Sequence, residues 1–132
     1  MTASTGKILL VDDEENLLRS TAKTLLRAGF DVETARSNTE AAQKIKDGED
    51  FGLIILDLNM PDFSGQASKY AGVELLEWLR QNLPQTPVII NSAWDEVETA
   101  KLCLDKGAAD FFVKGRSEDM FETIYRVLNQ TT

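Results

Sequence analysis

Four consecutive aliphatic residues, Leu53-Ile54-Ile55-Leu56, run directly into Asp57 and then into a turn that ends at Pro61. An unbroken apolar run has no wet face. It therefore fits a strand covered on both sides, as in a parallel sheet between two layers of helices, rather than the alternation of a half-exposed strand. Asp57 then stands at the carboxyl edge of that sheet, where open α/β folds bind ligands. The pattern recurs three times. Lys7-Ile8-Leu9-Leu10-Val11 ends in Asp12, Asp13, Glu14 and Glu15; Pro87-Val88-Ile89-Ile90 ends in Asn91-Ser92-Ala93-Trp94; Phe111-Phe112-Val113 ends at Lys114-Gly115.

Helical stripes fill the intervals. Residues 15–28 carry Leu18, Ala22, Leu25 and Leu26 on one side, with Gly29 in the C-terminal cap position. Phe30 to Ala35 alternates apolar and polar residues, as an edge strand does. Ser37-Asn38-Thr39-Glu40 is a capping-box pattern that opens a short helix with Ala41, Ala42 and Ile45 inward and Asp47-Gly48 at its end. Val73, Leu76 and Leu79 mark a third helix that stops before Pro84, and Val97, Ala100 and Leu104 a fourth that closes at Gly107. Ser117 caps the last, with Phe121, Ile124, Tyr125 and Leu128 inward. Five strands alternating with five helices predict a flavodoxin-like three-layer sandwich with a five-stranded parallel sheet in the order 2-1-3-4-5.

The chain of 132 residues is expected to form one domain over residues 1–132, with its core at about residues 7–128 and Asn129 to Thr132 as a tail or linker remnant. Twenty-two acidic against 14 basic residues, a net charge of -8, argue against direct nucleic-acid binding. Cys103 is the one cysteine and histidine is absent, which excludes an internal disulfide and a Cys/His metal cluster. No apolar run reaches membrane-spanning length, and a cytoplasmic protein is expected.

In the predicted strand order Asp12, Asp13, Asp57, Ser92 and Lys114 converge at one edge of the sheet. Three neighbouring carboxylates repel one another, and a hard divalent cation with oxygen ligands, Mg²⁺ foremost, relieves that repulsion. Asp57 as a nucleophile would become an aspartyl phosphate, with Lys114 and the Ser92 hydroxyl contacting its oxygens. Glu14 and Glu15 are read instead as carboxylates that complement a helix N-terminus.

The stretches ILLVDDEEN, LIILDLNMPDFSG, VIINSAW and GAADFFVKG closely resemble the receiver domain of a two-component response regulator, of the CheY-like superfamily, over about Lys7 to Leu128. The resemblance implies that Asp57 accepts a phosphoryl group from a sensor histidine kinase or histidine phosphotransfer protein. It implies that Asp12 and Asp13 hold Mg²⁺ with Asp57 and the Asn59 backbone carbonyl, that Ser92 is the switch hydroxyl, Phe111 the aromatic switch residue and Lys114 the phosphate-pairing lysine. Such domains promote only their own phosphorylation and dephosphorylation and are not enzymes in the usual sense. Phosphorylation would change the surface formed by the fourth helix, fifth strand and fifth helix, and so the binding of a downstream protein target or output domain.

Three departures from the family pattern stand out. Gly115 replaces the usual proline, which predicts a trans Lys114–Gly115 bond. Gln66 to Gly72 reads as an insertion of about seven residues, with Lys69 and Tyr70 as its candidates for influencing access or partner choice. Trp94, two residues after Ser92, joins Asn59 as a residue expected to tune dephosphorylation, by shielding the acyl phosphate or, alternatively, as a contact surface. A flavodoxin would need a hydroxyl- and glycine-rich loop after the first strand, and an aspartate phosphatase a second aspartate where Asn59 stands. A pseudo-receiver that acts without phosphorylation is the alternative function, and only Gly115 leans toward it.

Overall fold

The computed structural model describes residues 7–61, 63–68 and 70–130. Seven strands follow in chain order among these residues: β1 (Lys7–Val11), β2 (Asp31–Ala35), β3 (Leu53–Asp57), β4 (Met60–Pro61), β5 (Ala67–Ser68), β6 (Val88–Ser92) and β7 (Asp110–Val113). Five helices intervene: α1 (Glu15–Arg27), α2 (Asn38–Lys46), α3 (Ala71–Asn82), α4 (Val97–Asp105) and α5 (Ser117–Gln130), with a 3₁₀ turn at Trp94–Glu96. The main sheet is parallel in the order β2-β1-β3-β6-β7. Counted over its own five strands, that is the order 2-1-3-4-5 expected from the sequence.

Strand β3 is the middle of the molecule because both of its faces are dry. Leu53, Ile54, Ile55 and Leu56 are each at most 1% exposed, and burying each such side chain contributes about 1.5–3 kcal/mol. Ile54 and Leu56 join Leu9, Val11, Val88 and Ile90 beneath α2, α3 and α4. Leu53 and Ile55 join Ile8, Leu10, Ile89 and Phe112 beneath α1 and α5. Consecutive residues point to opposite layers, so a continuous apolar run is what the position demands.

Several inward assignments shift by one helical position. Leu26, Leu104 and Tyr125 are 53%, 38% and 49% exposed, and Leu25, Cys103 and Ile124 hold the neighbouring buried places. A residue one step along is rotated about 100° around the helix, enough to leave a narrow apolar stripe. Ser117 is the first residue of α5 and not its cap, since the Met120 N–H reaches the Arg116 carbonyl. α5 continues through Gln130, so Asn129 and Gln130 are helical rather than tail. The extra segment after Pro61 forms a small antiparallel ladder in which Met60 pairs with Ser68 and Pro61 with Ala67. Tyr70 is exposed beside it, and Lys69 lies outside the described residues.

Candidate functional site

Strand register brings the polar strand ends together. Val11 lies beside Leu56, which sets Asp12 next to Asp57. Asp57 pairs with Asn91 and Ser92 with Val113, which carries Ser92 and then Lys114 to the same edge. The Lys114 ammonium sits 3.0 Å from Asp57 Oδ1 and 3.8 Å from Asp12 Oδ2. Asp57 Oδ1 also accepts the Leu58 N–H at 2.9 Å, and Asp12 Oδ1 accepts the Glu14 N–H at 3.0 Å. Glu14 caps α1 by accepting from Asn16 and Leu17, and Glu15 pairs with Arg19, as helix N-terminal carboxylates.

Asp12 and Asp57 are both buried, at 3% exposure, whereas Asp13 faces solvent. Burial disfavours the ionised form of Asp57, the Asp12 charge adds repulsion, and Lys114 offsets only part, so its carboxyl is pushed from 3.8 up to about 6. Burial raises the Asp12 carboxyl as well. The Lys114 ammonium is held above its usual range by Asp57 against the opposing effect of burial. Ligand oxygens of Asp12, Asp13 and Asp57 lie within 4.8 Å of one another. Three hard oxygen donors around a carboxylate that resists ionisation suit a small divalent cation, which would remove the repulsion.

Ser92 is fully buried and its Oγ has no hydrogen-bond partner. It lies on the α3/α4 side of the sheet, as does the half-buried Phe111 that packs on that core. Asn59 is exposed at the mouth, and its side chain donates to Glu96 Oε2. Trp94, in the 3₁₀ turn after β6, is 81% exposed. All described peptide bonds are trans, and Gly115 takes a φ of +121° that other residues rarely adopt.

Three residues bear on the site without having been singled out. Glu96 bridges two loops, accepting from Asn59 through Oε2 and from the Ala93 N–H through Oε1 at 3.0 Å. Its sequence context is a capping pattern with alanine in the cap, which hides it. Gly72 packs so closely beneath Asp57 that a Cβ there would meet the Asp57 carbonyl oxygen at 2.6 Å and Leu58 Cα at 2.8 Å. The glycine that the nucleophile loop requires is therefore Gly72, in the first turn of α3, and the extra residues lie before it. The third is Asn91, buried at the end of β6 with an unpaired carboxamide oxygen.

With this geometry in place, the comparisons are decisive: residues 8–125 match the family model of the response regulator receiver domain. The chain belongs to this family. The receiver domain is 34% identical over 130 residues to the response regulator protein PilR of Pseudomonas aeruginosa, covering 96% of this chain and 27% of PilR. Across the first curated relatives it spans 21% to 42% of their length. A CheY-like receiver domain protein from Methanospirillum hungatei superposes with a TM-score of 0.83 at 30% identity, covering 97% of both chains. The response regulator TrrA of Thermotoga maritima, solved with Mg²⁺ and BeF, gives 0.77 at 26% identity, covering 93% and 99%. No helix among the described residues is long and apolar enough to cross a membrane.

Proposed function

We propose that this receiver domain is a cytoplasmic phosphoacceptor switch in which Asp57 takes a phosphoryl group from the phosphohistidine of a sensor histidine kinase or histidine phosphotransfer protein. The observation that carries this reading is the buried Asp57 carboxylate set between two further carboxylates and the Lys114 ammonium. With its carboxyl near 6, Asp57 is mostly ionised at neutral pH and available as a nucleophile. An Asp57 oxygen bonds to phosphorus while the donor's P–N bond breaks, and the imidazole leaves with the electron pair. Asp12, Asp13, Asp57 and the Asn59 backbone carbonyl are the groups that would hold Mg²⁺, which when bound supplies positive charge to the phosphoryl oxygens.

Lys114 holds one oxygen of the acyl phosphate by charge. The Ser92 hydroxyl, which has no partner in its buried place, donates to another. A buried hydroxyl left unpaired costs about 1–3 kcal/mol, so moving toward the phosphoryl group is favourable. Ser92 and Phe111 share one face of the sheet, and a shift of the first opens room for the second. The result is a change in the populations of two surface states on α4, β7 and α5, read by a separate protein target or an output domain.

Beryllofluoride, which mimics an acyl phosphate, tests the reading. A rise in Tm beyond that given by Mg²⁺ alone, which appears only when beryllofluoride is added with the metal and disappears in Asp57→Asn, is expected. Absence of this further rise in the wild type would favour a pseudo-receiver, the alternative toward which Gly115 leans.

A further inference from the structure

The chain that follows β3 is fastened to α3 at more than one point, and a carboxylate outside the acidic cluster holds one of them. The Leu58 carbonyl accepts the Gly72 N–H at 3.1 Å, and Met60 pairs with Ser68. Farther along, the Phe63 N–H donates to Glu74 Oε1 at 2.8 Å. The same oxygen accepts from the Asn38 carboxamide at 3.2 Å, and that carboxamide also donates to the Ala71 carbonyl at 2.9 Å. Glu74 therefore joins three pieces of chain: the segment after the phosphoacceptor, the first turn of α3 and the first residue of α2.

Asn38 shows that this junction serves position more than stability. It is wholly buried, and its Oδ1 has no hydrogen-bond partner. A buried amide left half satisfied is destabilising, and an apolar residue would pack in its place without that loss. Both hydrogen bonds that the side chain does make run to the first turn of α3. Trp78, one turn beyond Glu74 on the same helix face, gives Phe63 a second hold, its ring 6.4 Å from that of Phe63 at a tilt of 52°.

The place of this turn matters to the acidic site. Gly72, two residues before Glu74, lies directly against the Asp57 and Leu58 backbone. Asn59 stands between the fastened residues Leu58 and Met60. Mg²⁺ demands near-octahedral geometry at short distances, so a small drift of one oxygen ligand is felt in affinity. We infer that Glu74 is a positioning residue of the phosphoacceptor site: by fastening Phe63 to α3, and α3 to α2, it sets the Asn59 carbonyl and the Asp57 backbone for the metal. The inference rests on the reading of Asp12, Asp13, Asp57 and the Asn59 carbonyl as a Mg²⁺ site.

Isothermal titration calorimetry with Mg²⁺ at neutral pH, paired with urea unfolding in EDTA, is the test. Glu74→Ala should bind Mg²⁺ about tenfold more weakly than wild type, the size of loss that follows when a group supporting a metal ligand is removed. Glu74→Gln keeps an acceptor for Phe63 and Asn38 and should bind as wild type does. Leu79→Val, one methylene smaller in the buried face of α3, should lose stability in urea and keep wild-type affinity. If Glu74→Ala does not fold, Asn38→Ala, which removes the donor that ties the carboxylate to α2, carries the same comparison. A wild type that takes up no Mg²⁺ would overturn the metal reading and this inference with it. Wild-type affinity in Glu74→Ala, a loss in Glu74→Gln as large as in Glu74→Ala, or an equal loss in Leu79→Val would overturn the inference alone, leaving Glu74 an anchor that serves stability only.

Discussion

Replacing Asp57 by asparagine should stabilise the metal-free domain, although it deletes the residue on which function depends. The fold raises the Asp57 carboxyl from 3.8 to about 6, which corresponds to about 3 kcal/mol spent on keeping it ionised. For a carboxyl whose folded value is the higher, the native state binds more protons between those two values, so stability falls as pH rises from about 4 to about 6 and stays low above. Asparagine is the neutral isostere, and it presents Lys114 with the same uncharged neighbour as the protonated acid does. Asp57→Asn should therefore be about 2–3 kcal/mol more stable than wild type near pH 8 in EDTA, fading to below about 1 kcal/mol near pH 4. With an unfolding entropy of about 0.3 kcal/mol/K for 132 residues, the Tm gain near pH 8 is about 7–10 °C. Paired urea and thermal unfolding at both pH values measure it. Equal stability near pH 8, or a gain that does not shrink at low pH, would refute the picture of a carboxylate held ionised against burial and Asp12.

Saturating Mg²⁺ should erase most of this difference. At about one hundred times its dissociation constant a ligand stabilises by about 2.7 kcal/mol, so wild-type Tm should rise by about 9 °C, and Asp13→Asn should lose most of the rise. Gly72→Ala should cost about 1–3 kcal/mol or more in urea unfolding and weaken Mg²⁺ binding, because its Cβ meets the Asp57 and Leu58 backbone at 2.6 and 2.8 Å. Glu96→Ala frees the Asn59 carboxamide to reach a hydrolytic water and should shorten the lifetime of phosphorylated Asp57 severalfold, whereas Glu96→Gln, which keeps an acceptor, should stay near wild type. Identical lifetimes in the two variants would show that the Glu96–Asn59 contact does not matter.

The layered fold was legible because strands buried on both faces leave no ambiguity: Ile54-Ile55 and Leu9-Leu10 have no alternation to misread. Asp12, Asp13, Asp57, Ser92 and Lys114 could be placed because each directly follows or ends such a run, and parallel register does the rest. Helix faces were less legible. Leu26, Leu104 and Tyr125 are apolar or aromatic, but they sit one position past the buried stripe, and a flanking residue can be either wet or dry. Gly72 escaped notice because a close backbone approach leaves no mark beyond the glycine itself. Glu96 was hidden because the 3₁₀ turn carries its carboxylate toward Asn59, a local geometry that residue spacing does not encode.

Intact-mass analysis after incubation with acetyl phosphate, with and without Mg²⁺ and alongside Asp57→Asn, tests the central claim most directly. Gain of one phosphoryl group that requires both the metal and Asp57 is the predicted result. A wild-type mass that stays unchanged with acetyl phosphate and with a phosphorylated histidine donor, or a gain that survives in Asp57→Asn, would contradict it.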